Sequence, residues 1–452
     1  MTRFHIVGIG GAGMSAIARI LLARGHAVTG SDSGPWPLAE ALARNGAAVH
    51  ERFAAEHVPG AEIVIRSSAY KEDNPEVRAA LDKGITVWKR DDAWRFLTTG
   101  QRVVAIAGTH GKSTTTAMTW SALRAGGIDA SLICGAVIRG LGTNAHAGKS
   151  DTFVIEADEY DNAFLALHPE VAVVTTLDHD HIDIFPTRDS YRDAFRAFVR
   201  GARAGGTLIA SADDPGTREL AAWTASQRTL RVQTYGRDPS ASTKVSDLGN
   251  HVYEVGGDLG NRAYDRGGHL FGLAVPGWHN ALNAAAAILV ADHFNAPRPL
   301  VIGKGIGSFE GVERRLELVG MAGDIKVIDD YAHHPAEIAA GIEAFGEGSV
   351  IVFQPHTPSR LEAFFDDFVA VLKRARAVVI VETFRSAREQ SDPHGLARAL
   401  ADAVGGRYAP DGETAAHLAA ELARPGDAVL VMGAGDVRPV GQRVLELLRT
   451  PV

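Results

Sequence analysis

Between an apolar run, Val103-Val104-Ala105-Ile106, and a helix-forming stretch that begins at Ser113, the chain carries Gly108-Thr109-His110-Gly111-Lys112-Ser113-Thr114. A glycine loop leading from a strand into a helix presents successive backbone amides and a helix N-terminus, and these hold phosphate oxygens. Lys112 is placed to reach outer phosphates and Ser113 to ligate Mg²⁺. The usual phosphate loop has four residues between its first glycine and the Gly-Lys pair; here only Thr109 and His110 stand between. Two acidic groups follow apolar runs of their own: Glu156-Ala157-Asp158-Glu159 after Phe153-Val154-Ile155, and Asp178-His179-Asp180-His181 after Val171 to Thr176. If those runs are strands parallel to the one feeding the loop, their carboxyl ends share one crevice and their side chains face the phosphates. Each group alone is an ordinary solvated strand end, but together with the loop they predict a divalent-metal site. A second glycine loop, Gly8-Ile9-Gly10-Gly11-Ala12-Gly13, has Asp32 about 20 residues on and fits a dinucleotide fingerprint. By that motif alone NAD leads, although such a turn binds any diphosphate.

These loops need strands and helices to hold them. Phe4-His5-Ile6-Val7, a helical pattern through Ile17, Ile20, Leu21 and Leu22, and Ala27-Val28-Thr29 form a strand-turn-helix-strand unit, with further strands at Glu62 to Ile65 and Thr86 to Trp88. A new strand after the polar stretch Leu97 to Gln101 predicts a boundary there, and alternating strands and helices then run through Thr207-Leu208-Ile209 to a helix from Ala281 to His293 that ends before Pro297. A third run of strands appears at Lys326 to Ile328, Val350 to Val352, Val378 to Val381 and Ala428 to Val431. The expected architecture is α/β in three domains: a Rossmann-like domain over 1–97, a central ATPase domain with a mostly parallel sheet over 98–298, and a C-terminal Rossmann-like α/β domain over 299–452. The polar stretch from Thr224 to Gly268 reads as hairpins and loops.

Composition narrows the partners. A net charge of -8 and the lack of a basic run argue against nucleic acid, and no apolar run approaches the roughly 18 residues of a membrane span. The N-terminus enters a strand pattern without the segments of a secretory signal, and Cys134 is the single cysteine. A cytoplasmic protein is expected.

Five motifs stand in the order of the Mur ligase family, which the chain resembles over essentially its whole length: the loop Gly108 to Thr114, Glu156 to Glu159, His279-Asn280 with Asn283, Arg314-Arg315 after Phe309-Glu310-Gly311, and Asp329-Asp330-Tyr331-Ala332-His333-His334-Pro335. The resemblance implies an ATP-dependent ligase acting on a UDP-sugar. It implies that Gly108, Thr109, His110, Gly111, Lys112, Ser113 and Thr114 bind ATP phosphates, with Asn280 and Asn283 at adenine, Arg315 at the phosphates and Asp330 at the ribose. Ser113 and Glu156 would hold one Mg²⁺, and His181 a second. Gly8, Gly10, Gly11, Gly13, Met14, Ser15, Asp32, Ser68 and Ala69 would bind the UDP-sugar. No lysine occurs between Lys149 and Lys244, so the carbamylated lysine of several members has no counterpart, as in the branch that uses UDP-N-acetylmuramate itself.

Within that branch two patterns compete. Phe353-Gln354-Pro355-His356, Arg360 and Met432-Gly433-Ala434-Gly435-Asp436 resemble members that add L-alanine. Glu156 to Asp161, with Tyr160, and Asp183-Ile184-Phe185 resemble members that attach a whole tripeptide in recycling. Thr357, Pro358 and the stretch from Thr383 to Ser391 depart from the alanine pattern. The reading adopted is L-alanine addition in peptidoglycan synthesis, with Tyr331, His333, His356 and Arg360 at the amino acid, catalysis by Lys112, His333 and Arg360, and a monomer or homodimer with no membrane partner. A nicotinamide oxidoreductase or a non-catalytic UDP-sugar regulator are the readings from other classes.

Overall fold

The computed structural model describes residues 1–450 except 35, 182–183, 258–268, 297–298 and 385–394, with the backbone alone at 299–300. The chain forms two compact units, 1–274 with 280–312, and 275–279 with 313–452.

The first unit contains two sheets. In one, β1 (Arg3–Val7), β2 (Ala27–Ser31), β3 (Ala48–His50), β4 (Ile63–Arg66) and β5 (Thr86–Trp88) lie in the order β3-β2-β1-β4-β5, all parallel. Phe4, Ile6 and Val7 are buried, because a parallel sheet covered on both faces wants apolar side chains in a near-continuous run. The order reverses between β1 and β4, so the loops that follow them, at Gly8–Gly11 and at Ser67–Ala69, open into one crevice. Gly8 has φ +84°, and a Cβ there would lie 2.6 Å from the Tyr70 ring, so the turn requires glycine.

The other sheet comprises β6 (Arg102–Ala107), β7 (Ser131–Ile138), β8 (Thr143–His146), β9 (Thr152–Glu156), β10 (Val171–Val174), β11 (Thr207–Ser211), β12 (Arg231–Gly236), β13 (Thr243–Asp247), β14 (Val252–Gly257) and β15 (His269–Gly272). Its order is β15-β14-β13-β12-β11-β10-β6-β9-β7-β8. From β13 to β7 every pairing is parallel. β6 is flanked by β9 and β10, with Ile106 paired to Glu156 and Ala107 to Val174. The phosphate loop and both acidic groups therefore leave neighbouring strands at the same end. The stretch expected as loops and hairpins opens on the last turn of helix Pro215–Gln227, then holds the parallel strand β12 and, as expected, a hairpin, β13 with β14. β12 is only half-buried over Val232 to Thr234, so its polar side chains hide a strand that joins the parallel sheet. Helix Pro299–Gly307 packs on helix Lys112–Ala125 and on β15, within the first unit.

In the second unit, β16 (Glu317–Ala322), β17 (Ile325–Asp330), β18 (Val350–Phe353), β19 (Ala377–Val381), β20 (Arg407–Ala409) and β21 (Ala428–Met432) run β16-β17-β21-β18-β19-β20, with only β16 antiparallel. Successive side chains point to opposite faces. Ile328, Ile351 and Leu430 thus join one helix layer, with Ile338, Phe368 and Leu400, while Val327, Val352 and Val429 join the other, with Ala416 and Val444. Among the described residues no helix is long and apolar enough to cross a membrane.

Candidate active site

The phosphate loop is fastened to the strand beside it. Thr109 N donates to Thr176 O at 3.0 Å and Thr109 Oγ1 to Asp178 O at 2.7 Å, while His110 N donates to Thr176 Oγ1 at 2.8 Å. Gly111 is left-handed, φ +82°, and a Cβ there would lie 2.7 Å from Asn283 Oδ1. Lys112 opens the helix Lys112–Ala125 and folds back, its Nζ donating to Gly108 O at 2.5 Å, Thr109 O at 3.2 Å and Glu159 Oε1 at 3.1 Å. Burial pushes the Lys112 ammonium towards neutrality, but Glu159, Asp158 and Glu156 outweigh it and raise its pKa.

The strand end after β9 supplies two carboxylates with different partners. Glu156 accepts from Ser113 Oγ at 2.9 Å and from Gly135 N at 2.5 Å. Glu159, completely buried, accepts from Lys112 and, at 3.1 Å, from Tyr191 Oη, whose hydroxyl lies 3.0 Å from Thr109 Oγ1. His181 Nε2 stands 3.5 Å from the same Glu159 oxygen and 3.9 Å from Asp180. Burial lowers the basicity of His181, yet Glu159 and Asp180 prevail and its pKa rises. Among the described residues, the second oxygen of Glu159 is buried and has no hydrogen-bond partner. Ser113 and Glu156 are therefore together, whereas His181 keeps company with Glu159 and Lys112. Glu159 was named only as part of a motif in the sequence, yet it links the lysine, the tyrosine and the histidine. Hard oxygen donors at Ser113, Glu156 and Glu159 suit a small divalent cation that dehydrates reluctantly.

Asn283 Oδ1 accepts from Thr115 Oγ1 at 3.0 Å and its Nδ2 donates to Asn280 Oδ1 at 3.3 Å. Both asparagines are buried on helix Trp278–His293, chained to the first turns of the phosphate-loop helix. At the other glycine loop, Gly8 N and Ile9 N donate to Ser31 O at 2.8 and 3.2 Å, and Gly10 N donates to Asp32 Oδ2 at 2.8 Å. Asp32, expected at the ligand, grips its own loop. Gly11 caps helix Ala12–Ala23, on which Gly13, Met14 and Ser15 form the first turn; Ser68 and Ala69 follow β4, with Ala69 N on Ser67 Oγ at 3.3 Å.

In the second unit, Arg314 and Arg315 lie over the Tyr331 ring, 4.9 and 5.3 Å from its centre. Arg314 also donates to Gly433 O at 2.6 Å and so fixes the Gly433 to Asp436 loop. Asp330 accepts from Leu316 N at 3.1 Å and Ala332 N at 2.8 Å, and its pKa is pushed up to about 7, chiefly by burial against the pull of Arg315. The adjacent histidines part company. His334 is buried and caps helix Pro335–Phe345, whereas His333 Nδ1 lies 2.9 Å from Tyr331 O and its ring 5.9 Å from that of His356. Arg360 Nη1 is 3.5 Å from His356 Nδ1. Tyr331, His333, His356 and Arg360 are thus neighbours, as their assignment to one ligand requires. Glu337, which the sequence did not single out, accepts from Arg315 at 3.2 Å and from His333 N at 2.9 Å. Thr357, at φ +65°, leads into the short helix Pro358–Ala363 that carries Arg360. Asp183 and the stretch 385–391 lie outside the described residues.

Residues 3–102 match the family described as Mur ligase family, catalytic domain; 106–291 match Mur ligase middle domain; 314–435 match Mur ligase, glutamate ligase domain. The chain belongs to the Mur ligase family. This Mur ligase is 41% identical over 452 residues to the UDP-N-acetylmuramate--L-alanine ligase of Paenarthrobacter aurescens, covering 99% of this chain and 97% of that one. It is 40% identical over 479 residues to the protein of the same name from Mycobacterium avium, covering 99% and 96%. Its fold is similar to that of a UDP-N-acetylmuramate-alanine ligase from Thermotoga maritima, with a TM-score of 0.79 and 25% identity over 99% of both chains. A murein peptide ligase from Psychrobacter arcticus shares the fold at a TM-score of 0.74 and 24% identity over 100% of both chains.

Proposed function

We propose that this Mur ligase joins L-alanine to the lactyl carboxylate of UDP-N-acetylmuramate at the expense of ATP, in the cytoplasmic assembly of peptidoglycan precursors. The observation that carries the reading is full-length likeness, at about 40% identity, to relatives of that name, in a chain whose lysine, serine and two glutamates meet at neighbouring strand ends. The tripeptide ligase shares the fold at lower identity and is not favoured. For an oxidoreductase, the phosphate loop and its acidic neighbours would have no task.

A carboxylate does not acylate an amine at neutral pH, because oxide would have to leave. The lactyl carboxylate instead attacks the γ-phosphorus of ATP, the bond to the bridging oxygen breaks, and ADP departs, leaving an acyl phosphate. Lys112 offsets charge on the phosphoryl oxygens, held in place by Glu159. Ser113 and Glu156, with His181 and Glu159 behind them, are the residues that would hold Mg²⁺, which supplies charge neutralisation at the phosphates. Alanine's amine then attacks the carbonyl carbon of the anhydride, and the tetrahedral intermediate expels phosphate. Arg360 is assigned to alanine's carboxylate, since a guanidinium offers two parallel donors. His333 is assigned to the amine proton: with Nδ1–H directed at Tyr331 O, the lone pair of Nε2 is the basic atom. Asn280 and Asn283 are assigned to adenine, Arg315 to the ATP phosphates, Asp330 to the ribose, and the crevice at Gly8 to Ser15 with Ser68 and Ala69 to the UDP-sugar. The test is mass spectrometry of the sugar nucleotide after incubation with ATP, Mg²⁺ and alanine. A product heavier by one alanyl residue, with one ADP and one phosphate per product, is expected; unchanged sugar nucleotide refutes the reading.

A further inference from the structure

Two loops in the first unit have separate tasks in the proposed reaction: the Gly8 to Gly13 turn for the sugar nucleotide, and the Glu156 to Tyr160 segment for the groups around Lys112. Both meet at Arg90. This residue opens the helix Arg90–Thr98, and its guanidinium lies 4.9 Å above the Trp94 ring, which sets its direction. Nη1 donates to Asp158 Oδ2 at 2.7 Å and Nη2 to Tyr160 O at 3.2 Å. On its other side, a Cβ added at Gly13 would lie 3.7 Å from Arg90 Cδ and 3.9 Å from Nη1, so the side chain rests against the first turn of the glycine-loop helix. Asp158 stands between Glu156, which takes Ser113, and Glu159, which takes Lys112. A second strut reaches the same turn from β8: Asn144, fully buried, donates from Nδ2 to Ala12 O at 2.7 Å and to Ser15 Oγ at 3.3 Å.

We propose that Arg90 is a positioning residue that clamps the acidic segment 156–160 onto the sugar-nucleotide loop, so that the lactyl carboxylate and the γ-phosphate are presented to one another at reacting distance. The inference rests on the proposed ligase reading. The physical reason is that a bimolecular attack gains most of its rate from alignment, and a displacement of about 1 Å costs on the order of 100-fold. Two nucleotide sites on separate sheets keep alignment only if something spans them. Arg90 does this with two directed bonds to the acidic segment, one of them to a carboxylate, and with its stem packed at Gly13, while Asn144 holds the same helix turn from β8.

Arg90→Gln, Asp158→Asn and the double variant are assayed for kcat by ADP release and for the dissociation constants of UDP-N-acetylmuramate alone and of a non-hydrolysable ATP analogue alone. The clamp predicts that each single variant loses about 10- to 100-fold in kcat while both dissociation constants stay at wild-type values, and that the double variant is no worse than the poorer single one. Arg90→Lys, which keeps one bond to Asp158, recovers part of the rate. The clamp is overturned if Arg90→Gln weakens UDP-N-acetylmuramate binding while Asp158→Asn does not, since Arg90 would then be a ligand contact. It is equally overturned if the two losses multiply, or if kcat is unchanged. Should Arg90→Gln fail to fold, Asp158→Asn carries the test alone: wild-type kcat overturns the clamp. A wild-type enzyme that releases no ADP with UDP-N-acetylmuramate and alanine refutes the ligase reading itself, a result distinct from any of these.

Discussion

Glu159→Gln keeps the shape of the side chain and removes its charge. In the structure that charge is completely buried and accepts from Lys112 Nζ and Tyr191 Oη, both at 3.1 Å. Hydrogen bonds to a charged group contribute about 1.5–3 kcal/mol against about 0.5–1.5 for neutral partners. Gln turns the Tyr191 bond into a neutral one and leaves the Lys112 ammonium on a neutral oxygen without its ion pair, which weakens the hold on the phosphate loop by about 2–3 kcal/mol, or roughly 30- to 150-fold. Gly108 O and Thr109 O still accept from Nζ, so the lysine is loosened and not expelled. The assay is steady-state ADP release across an ATP titration at saturating UDP-N-acetylmuramate and alanine. The expected outcome is a fall of that size in kcat/KM for ATP, with the dissociation constant of UDP-N-acetylmuramate unchanged and the thermal transition still cooperative. A variant with wild-type kcat/KM for ATP would refute the claim that Glu159 positions Lys112.

Glu156→Ala leaves Ser113 Oγ without its carboxylate partner and should raise the Mg²⁺ needed for half-maximal activity by on the order of 10-fold or more; an unchanged Mg²⁺ titration removes Glu156 from the metal site. Arg360→Lys replaces a fork with a point charge and should raise the KM for alanine by about 10- to 100-fold while sparing ATP and UDP-sugar affinity, and equal alanine kinetics would place Arg360 outside the pocket. Glu76 is buried between His5 and His57, with Ser31 Oγ on it. Burial opposes its charge, but His5, Ser31 and the Ala54 amide hold its pKa at about 2. A carboxyl depressed on folding adds stability above its unfolded pKa and loses it as pH falls towards the folded value. Melting temperature should therefore drop between about pH 5 and pH 2, and Glu76→Gln should lower it at neutral pH and flatten that decline. Parallel melting curves for the two proteins across this range would exclude Glu76 as the source.

Much of the site was legible because its parts are local. The run from Gly108 to Ser113 places glycines, lysine and serine within one turn, and Asn280 and Asn283 are three apart, which puts them on one helix face. The acidic strand ends were legible from the apolar runs before them, once those runs were taken as neighbouring parallel strands. What escaped depends on distant partners or on backbone detail. Glu156 and Glu159 are chemically alike; which one meets Lys112 depends on the backbone path after β9, where Glu156 is still in the strand and Glu159 has turned to a helical conformation. Arg90 is 68 residues from Asp158, and no spacing rule connects them. Asp32 stands where a UDP-sugar contact is expected, yet its carboxylate accepts from the Gly10 amide. The β13–β14 hairpin lies where hairpins were expected, but the parallel strand β12 was missed because its residues are half-buried, and polar side chains on an open face resemble a loop.

The central claim is that the carboxylate of UDP-N-acetylmuramate is activated by ATP for capture by L-alanine. The measurement that tests it most directly is phosphate release from ATP and UDP-N-acetylmuramate with alanine, serine, glycine and the murein tripeptide supplied in turn, the sugar-nucleotide product being identified in each case. The account predicts the highest kcat/KM with L-alanine and one phosphate released per alanyl product. Efficient turnover with the tripeptide and poor turnover with alanine would contradict it.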